Sequence, residues 1–303
     1  MFCESHLCRG WMSRNHALKS SRKVYDTSCR AQLTQAFLRR WTYEPTFQKV
    51  INRIAQIAKG KIAGSSLVCL DIEWVPTSGL LTEVAFCEYD SGKVLLDVRL
   101  KHRLTTSELI QGDSGKAGSM TSLLMESFSG ACVSNVYGLD HQTCDGLIDI
   151  HMLAQLLQAR GITPETIMLS WSTNYQDFCL LRRYLERDGY SNILPPDENC
   201  IPMVPHYKRC LSRKISVALD FIFPLIFPGH HLAGLNHRAL PDAQQLRLMT
   251  HLFVELCKSP ECRDLLQFPQ TTRKIFTGKG TLLDRWVTGC EPDTIDLRLV
   301  MEG

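Results

Sequence analysis

Four acidic residues and one histidine draw attention in this chain because each lies beside an apolar segment that could bring it to a common site. Asp71 and Glu73 are two residues apart in the apolar run SLVCLDIEWV, so a strand there points both carboxylates to the same face. Asp177 and Asp242 each lie near the start of a segment with helical periodicity. His237 precedes Asp242 by five residues, on a stretch typical of a loop.

Carboxylates from three separate elements can together hold two divalent cations about 3.5–4 Å apart, the arrangement used for in-line displacement at phosphorus. All-oxygen ligation suits Mg²⁺ or Mn²⁺. The attacking water needs a base that works near neutral pH, and histidine has the appropriate pKa. The five side chains together therefore predict hydrolysis of a phosphodiester bond.

Asp71, Glu73 and Asp177 also have ordinary structural explanations. We expect Asp71 and Glu73 at the end of a strand, where two acidic side chains exposed to solvent are not destabilising. The D-x-E pattern is also common by chance. An acid in the first turn of a helix is favoured by the helix dipole. Against this, Asp177 shares its helix face with Leu181 and Tyr184, and a carboxylate on the inward side of an amphipathic helix needs a partner.

The segment NHRALPDAQQL joins a loop to a helix. Proline is common at the first helical position, so we expect Pro241 to begin the helix and Asp242 to lie in its opening turn. His237 then precedes the helix and can lean over the opening that Asp242 faces. A loop histidine is more often structural or exposed, and His230 and His231 are alternative candidates for a base.

The elements that would position these side chains predict an α/β domain over residues 65–257. Three apolar runs joined by tight connections predict an antiparallel meander, and the later elements alternate between helix and strand. Glycines close two of the helices. The expected elements are strands over 66–75, 81–90, 93–102 and 166–172, and helices over 147–161, 176–189, about 213–227 and from 241 onward.

Both ends of the chain are expected to be extensions of this domain. Residues 1–60 form a basic extension with helical patches, and residues 258–303 form a C-terminal tail with weak signals. The first forty residues carry eight basic and two acidic side chains, although the whole chain has a net charge of only +3. This arm is a solvated terminus, an electrostatic contact for phosphates or an organelle transit peptide. The Ser- and Gly-rich stretch 103–146 predicts a long excursion over one face.

Cysteine content and hydropathy bear on compartment and membrane association. Thirteen scattered cysteines, without a close C-x-x-C pair or a secretory signal, favour free thiols in the cytoplasm or nucleus, or in mitochondria if the arm is a transit peptide. The longest apolar run, VALDFIFPLIF, is short and interrupted by Asp220 and Pro224. We therefore expect no membrane partner.

At these residues the chain resembles the DEDDh 3′→5′ exonucleases of the ribonuclease-H-like superfamily. LDIEW resembles the first motif of that family, and TEVAF resembles the strand that usually follows it. NYQDFCLLRRYL resembles the second motif, and HRALPDA matches the third almost letter for letter. The resemblance covers about residues 65–257 and implies a ribonuclease-H-like mixed central β-sheet flanked by helices.

The resemblance also implies a role for each of the five residues. Asp71, Glu73, Asp177 and Asp242 would bind two Mg²⁺ or Mn²⁺ ions, and His237 would be the general base. The implied activity removes nucleoside 5′-monophosphates from the single-stranded 3′ end of RNA or DNA.

Trp74 and Asn174 are the residues expected to contact the substrate, although both depart from the family pattern. Asn174 lies three residues before Asp177 rather than four, and Trp74 follows the first motif where a small or hydroxyl residue is common. An indole at this position can stack on a base or belong to the core. Two alternatives stay open: a catalytically inactive nucleic-acid-binding or scaffold module on the same fold, and an endonuclease of the same superfamily.

Overall fold

The computed structural model describes two compact units, each formed by separate stretches of the chain. The helical unit comprises the described residues of Met1–Thr42, Cys210–His230 and Glu255–Gly303, and the sheet unit those of Tyr43–Arg209 and His231–Val254. All of the predicted site residues belong to the sheet unit. The described residues are 29–41, 51–52, 55–56, 66–75, 80–101, 147–211, 213, 215–235 and 237–277.

Six strands in the described part of the sheet unit form one mixed sheet in the order β4-β3-β2-β1-β5-β6. The first three strands pair antiparallel, which confirms the predicted meander. The pairs β3–β4, β1–β5 and β5–β6 are parallel. The strands are β1 (Leu67–Val75), β2 (Leu80–Glu88), β3 (Val94–Leu100), β4 (Leu147–Ile148), β5 (Ile167–Ser170) and β6 (Cys200–Pro202).

The start and the end of α1 have identifiable local causes. The Asp149 side chain accepts a hydrogen bond from the Met152 N–H and caps α1, while Gly161 adopts a positive φ of 76° just after that helix. A helix over 29–37 precedes the sheet. The later helices are α1 (Ile150–Ala159), α2 (Gln176–Arg187), α3 (Val204–Cys210), α4 (Leu219–Ile226), α5 (Ala239–Cys257) and α6 (Gln270–Thr277).

Alternation along β1 separates a core face from a face that carries the acids. Val68, Leu70 and Ile72 are buried in an apolar cluster that includes side chains from α1 and α2. The opposite face of the sheet contacts α5, where the Cys87 thiol lies 3.6 Å from the carbonyl oxygen of Ala243. The fold is therefore an α/β arrangement with helices on both faces of a mixed sheet, and the acids of β1 lie on the α5 side.

The expected start of α4 near residue 213 is wrong, since this helix begins at Leu219. Ile215 and Val217 are buried but not helical, so the apolar character of the segment does not come from one helix. Ala218 has an extended conformation with ψ of 134°, and its N–H donates to the Ser216 hydroxyl. The helix therefore begins several residues later than expected.

Two expectations about the acids' local positions are also wrong. Asp71 and Glu73 do not end the strand, because β1 continues to Val75. Pro241 is the third residue of α5 rather than the first, because the helix starts at Ala239. Proline is tolerated there because N–H groups in the first turn have no acceptor within the helix.

In the helical unit, an aromatic contact connects the helix over 29–37 with α6. Phe37, in the helix over 29–37, stacks on Phe276 of α6 with ring centroids 5.0 Å apart. Arg263 donates to the carbonyl oxygens of Phe37 and Arg39, at 2.5 and 2.8 Å. The described part of the expected C-terminal tail thus includes a packed helix.

Other parts of the two extensions and the excursion fall outside the description. The described residues do not include 1–28, most of 42–65, the excursion over 103–146 or residues 278–303.

The hairpin between β2 and β3 offers a test of local packing. Gly92 has a φ of 72°, and a Cβ added there would lie 3.0 Å from the Arg247 guanidinium. Arg247 donates from Nε to the Tyr89 carbonyl oxygen at 2.6 Å, so it cannot move freely. We expect Gly92→Ala to lower the free energy of unfolding by about 2–3 kcal/mol, from backbone strain and this close contact together.

Gly161→Ala is the matched control, to be measured by the same urea denaturation. Gly161 also has a positive φ, but nothing lies within 4 Å of its added Cβ, so we expect a loss of about 1–2 kcal/mol from strain alone. Equal losses in the two variants would show that the contact with Arg247 contributes nothing.

Candidate metal centre

Three of the four predicted acids lie together. One carboxylate oxygen from each of Asp71, Glu73 and Asp242 lies within 4.8 Å of the other two, and all three side chains are partly buried. Among the described residues, no other set of three or more histidine, cysteine or acidic side chains is arranged in this way. The structure thus brings carboxylates from β1 and from the first turn of α5 close together.

The strand pairing explains how β1 presents two acids to this group. Asp71 lies opposite Ala85 and Glu73 lies opposite Glu83, so both acids belong to the antiparallel pairing of β1 with β2. The register shifts between Glu73 and Trp74. A bulge of this kind redirects the side chains next to it.

Asp242 also organises the turn that leads into α5. The His237 backbone N–H donates to Asp242 Oδ2 at 3.0 Å. His237 adopts a left-handed conformation with φ of 61°, which costs a non-glycine residue about 1–2 kcal/mol. This hydrogen bond helps to offset that cost, so the five-residue spacing reflects a backbone contact between the two residues.

Asp177 lies outside the group of three, in the first turn of α2. Burial raises its pKa to about 6, and hydrogen bonds from the side chains of Ser170 and Ser172 act in the opposite direction. Its charge still raises the pKa of both Asp71 and Glu73. The fourth acid therefore acts on the same site electrostatically while its own carboxylate is hydrogen-bonded to serines.

The site disfavours several negative charges at once. Burial, followed by the charge of Asp242, raises the pKa of Asp71 well above its usual value. Burial, Asp242 and then Glu83 do the same for Glu73, where Arg238 partly opposes them. Carboxylates in such a site ionise together only when positive charge is supplied.

The donor set fits a hard divalent cation. All three grouped atoms are carboxylate oxygens, the ligands that Mg²⁺ and Mn²⁺ prefer. Oxygens that share one Mg²⁺ lie about 3–4 Å apart, because each is about 2.1 Å from the ion. Small side-chain adjustments would therefore convert this group into a chelating one.

The two residues expected to contact substrate have structural roles. The Asn174 side-chain oxygen accepts a hydrogen bond from the Gln176 N–H at 3.0 Å, at the start of α2. Trp74 is partly buried and packs against the apolar cluster on the core side of the sheet. Contact of either residue with a nucleic acid stays a prediction.

The three candidate histidines lie in different surroundings. His237 is partly buried, and His231 is exposed. His230 belongs to the helical unit, where its ring lies edge-on to Phe223 at 5.5 Å. The His237 backbone N–H donates a hydrogen bond to Asp242, a member of the acid group.

Glu83 is a buried acid beside the site that the sequence reasoning did not single out. It is only 2% exposed, lies opposite Glu73 and forms ion pairs with Arg99 and Arg238, at 3.3 and 3.2 Å. Its signal in the sequence was one acid inside the otherwise apolar strand LLTEVAFC. A buried charge in a central strand implies partners from other elements, but the sequence does not name them.

Raised pKa values predict that the metal-free protein loses stability as the pH rises. A carboxyl whose pKa is higher in the folded state stabilises below its unfolded value, near 4, and that contribution is lost as the pH rises through the folded value. For Asp177 this window ends at about 6. For Asp71 and Glu73 the pKa is also raised well above its usual value, so their contributions are lost in the same direction as the pH rises.

We therefore expect the melting temperature in EDTA to fall between about pH 5 and pH 7.5, and Mg²⁺ to restore it at the higher pH. Asp71→Asn removes one of the repelling charges, so its melting temperature is expected to fall less. The same pH dependence in both proteins would contradict this electrostatic account.

Comparison of this chain with protein-family models, curated proteins and solved structures found no match. Among the described residues, no helix has the length and apolar character needed to span a membrane.

Proposed function

We propose that this protein is a two-metal-dependent 3′→5′ exonuclease that hydrolyses phosphodiester bonds in RNA or DNA and releases nucleoside 5′-monophosphates. The observation that carries the proposal is the group of carboxylate oxygens from Asp71, Glu73 and Asp242, which lie within 4.8 Å of one another. The charge of Asp177 acts on the same site. Four acids from three elements form the donor set that two divalent cations require.

A ribonuclease-H-like fold is part of this proposal. It is supported by the mixed six-stranded sheet with helices on both faces, described above. It is also supported by where the three DEDDh-like segments fall. They lie on β1, along α2 and across the start of α5, and those elements carry the acids that interact.

The chain's own residues would divide the reaction between them. When bound, two divalent cations stabilise charge on both the attacking and the leaving oxygen of an in-line displacement. The four acids would hold those cations and so place the terminal phosphate. The His237 imidazole accepts a proton from the attacking water.

The bond changes follow from that assignment. The water oxygen forms a new bond to phosphorus as the bond between phosphorus and the 3′ oxygen of the preceding nucleotide breaks. That 3′ oxygen takes up a proton from solvent and becomes the new end of the chain. The products are one nucleoside 5′-monophosphate and a strand shortened by one nucleotide.

Matched single-stranded RNA, single-stranded DNA and duplexes test the proposal directly, each assayed with Mg²⁺, Mn²⁺ or EDTA. We expect a 5′-labelled single strand to shorten stepwise and a 3′-labelled strand to release a labelled mononucleotide first. The comparison of RNA with DNA reports whether a 2′-hydroxyl is recognised. Binding without hydrolysis under every metal condition would instead favour an inactive nucleic-acid-binding module.

A further inference from the structure

Glu83 has a set of partners that connects the centre of the sheet with the start of α5. Its side chain is 3% exposed, and Arg99 lies on one side of it, with Nε 3.3 Å from Oε1. On the other side, Oε2 accepts hydrogen bonds from Arg238 Nε and from the Ala239 backbone N–H, each at 3.2 Å. The carboxylate thus bridges β3 and the segment that enters α5.

Two of these partners follow His237 directly in the sequence. Ala239 is the first residue of α5, and its N–H has no acceptor within the helix. Glu83 supplies that acceptor and an ion pair to Arg238. At the first residue of this turn, the Asp242 side chain accepts a hydrogen bond from the His237 N–H. The turn over residues 237–239 is therefore held by two carboxylates: Asp242 bonds the N–H of His237, and Glu83 bonds Arg238 and Ala239.

The conformation held in this way is strained. His237 has a φ of 61°, and a non-glycine residue keeps such a conformation only where the surrounding contacts fix it. The direction of the Cα–Cβ bond, and with it the position of the imidazole, depends on that backbone conformation. Losing the contacts at residues 238 and 239 would let the turn relax and move the ring.

We propose that Glu83 is a positioning residue that fixes the turn at residues 237–239 and thereby directs the His237 imidazole. Its catalytic consequence rests on the proposed function, whereas its effect on the turn does not. Glu83 is not a member of the acid group formed by Asp71, Glu73 and Asp242. Its Oε2 accepts hydrogen bonds from Arg238 and Ala239, and its Oε1 forms an ion pair with Arg99, so the carboxylate contacts the segment that enters α5.

The test compares Glu83→Gln with Glu88→Gln, a matched change on the same strand but on a residue away from the turn. Hydrogen exchange of backbone amides is measured in the full chain. We expect roughly tenfold faster exchange at residues 237–239 in Glu83→Gln only, the order expected when a hydrogen bond that holds the turn is lost. Unchanged exchange there would overturn the proposal, whatever the activity of the protein.

The activity measurement separates positioning from simple loss of stability. We expect Glu83→Gln to lower kcat roughly 10- to 100-fold with little change in KM, since misplacing a catalytic group by about 1 Å can cost about 10²-fold. In a His237→Ala background the same change is expected to have almost no further effect on kcat. Equal losses in both backgrounds would overturn the proposal, because Glu83 would then act without His237.

Arg238→Gln provides a second variant if Glu83→Gln does not fold. Arg238 is 39% exposed in its side chain, so its replacement is tolerated more easily, and it removes one of Glu83's contacts to the turn. We expect the same pattern with a smaller amplitude, and normal exchange in this variant would contradict the proposal. A wild-type protein without nuclease activity would refute the proposed function, while the exchange result would still decide the role of Glu83 in the turn.

Discussion

Asp71→Asn and Asp242→Asn are each expected to abolish hydrolysis of a 3′ end, with a loss of at least about 10³-fold, while the proteins remain folded and still bind nucleic acid. Each change removes the charge of a carboxylate from the group of three. A divalent cation contributes several kcal/mol to a phosphoryl-transfer transition state, and each 1.36 kcal/mol is about tenfold in rate. EDTA is expected to have the same effect on the wild type, and added Mg²⁺ or Mn²⁺ is expected to reverse it.

The control for this experiment is Asp188→Asn, at the C-terminal end of α2 and outside the acid group. It makes the same change of charge and is expected to retain activity. Loss of activity in the site variants, prepared in the same way as this active control, would exclude a contaminating nuclease as the source of the signal. Titration calorimetry with Mn²⁺ provides a second measurement, in which both site variants are expected to bind more weakly. Full activity in Asp71→Asn or Asp242→Asn would refute the two-metal proposal.

His237→Ala is expected to lower kcat by roughly 10²–10⁴-fold, the usual contribution of a general base, while Mn²⁺ binding and affinity for the 3′ end survive. The pH–rate profile is also expected to lose the limb that rises through the histidine pKa. These expectations differ from those for the acids because the hydrogen bond between His237 and Asp242 uses the His237 backbone N–H, and every substitution except proline keeps that donor.

His237→Asn separates chemistry from backbone strain. Asparagine tolerates the left-handed conformation better than most residues but cannot act as a base near neutral pH. A similar loss of kcat in the alanine and asparagine variants would therefore assign the effect to the imidazole. A variant that keeps both its rate and the rising limb would show that His237 is a bystander, and the base would then be sought at His231 or His230.

Local periodicity predicted part of the site. Because a strand repeats every two residues, the shared face of Asp71 and Glu73 followed from their spacing once β1 was recognised. The position of Asp177 in the first turn of α2 followed from the apolar pattern of that helix. The mixed sheet with flanking helices followed from the order of apolar runs.

Contacts between distant parts of the chain explain what the sequence did not predict. The proline rule placed the start of α5 at Pro241, but Glu83, more than 150 residues earlier, accepts the Ala239 N–H and the helix begins there. Asp177 lies outside the group of three and is hydrogen-bonded to serine side chains, although spacing alone treats all four acids alike. Such effects depend on which side chains meet in space, and local patterns carry no information about that.

The double engagement of Asp242 has a thermodynamic consequence. The Asp242 carboxylate belongs to the acid group and also accepts a hydrogen bond from the His237 N–H. Cation binding and the ordering of the turn at residues 237–239 therefore both depend on this side chain. If a cation changes the equilibrium between ordered and open turns by some factor, the ordered turn must change the cation's affinity by the same factor. Metal affinity would then report the fraction of molecules in which the turn at residues 237–239 is ordered, even in catalytically inactive variants.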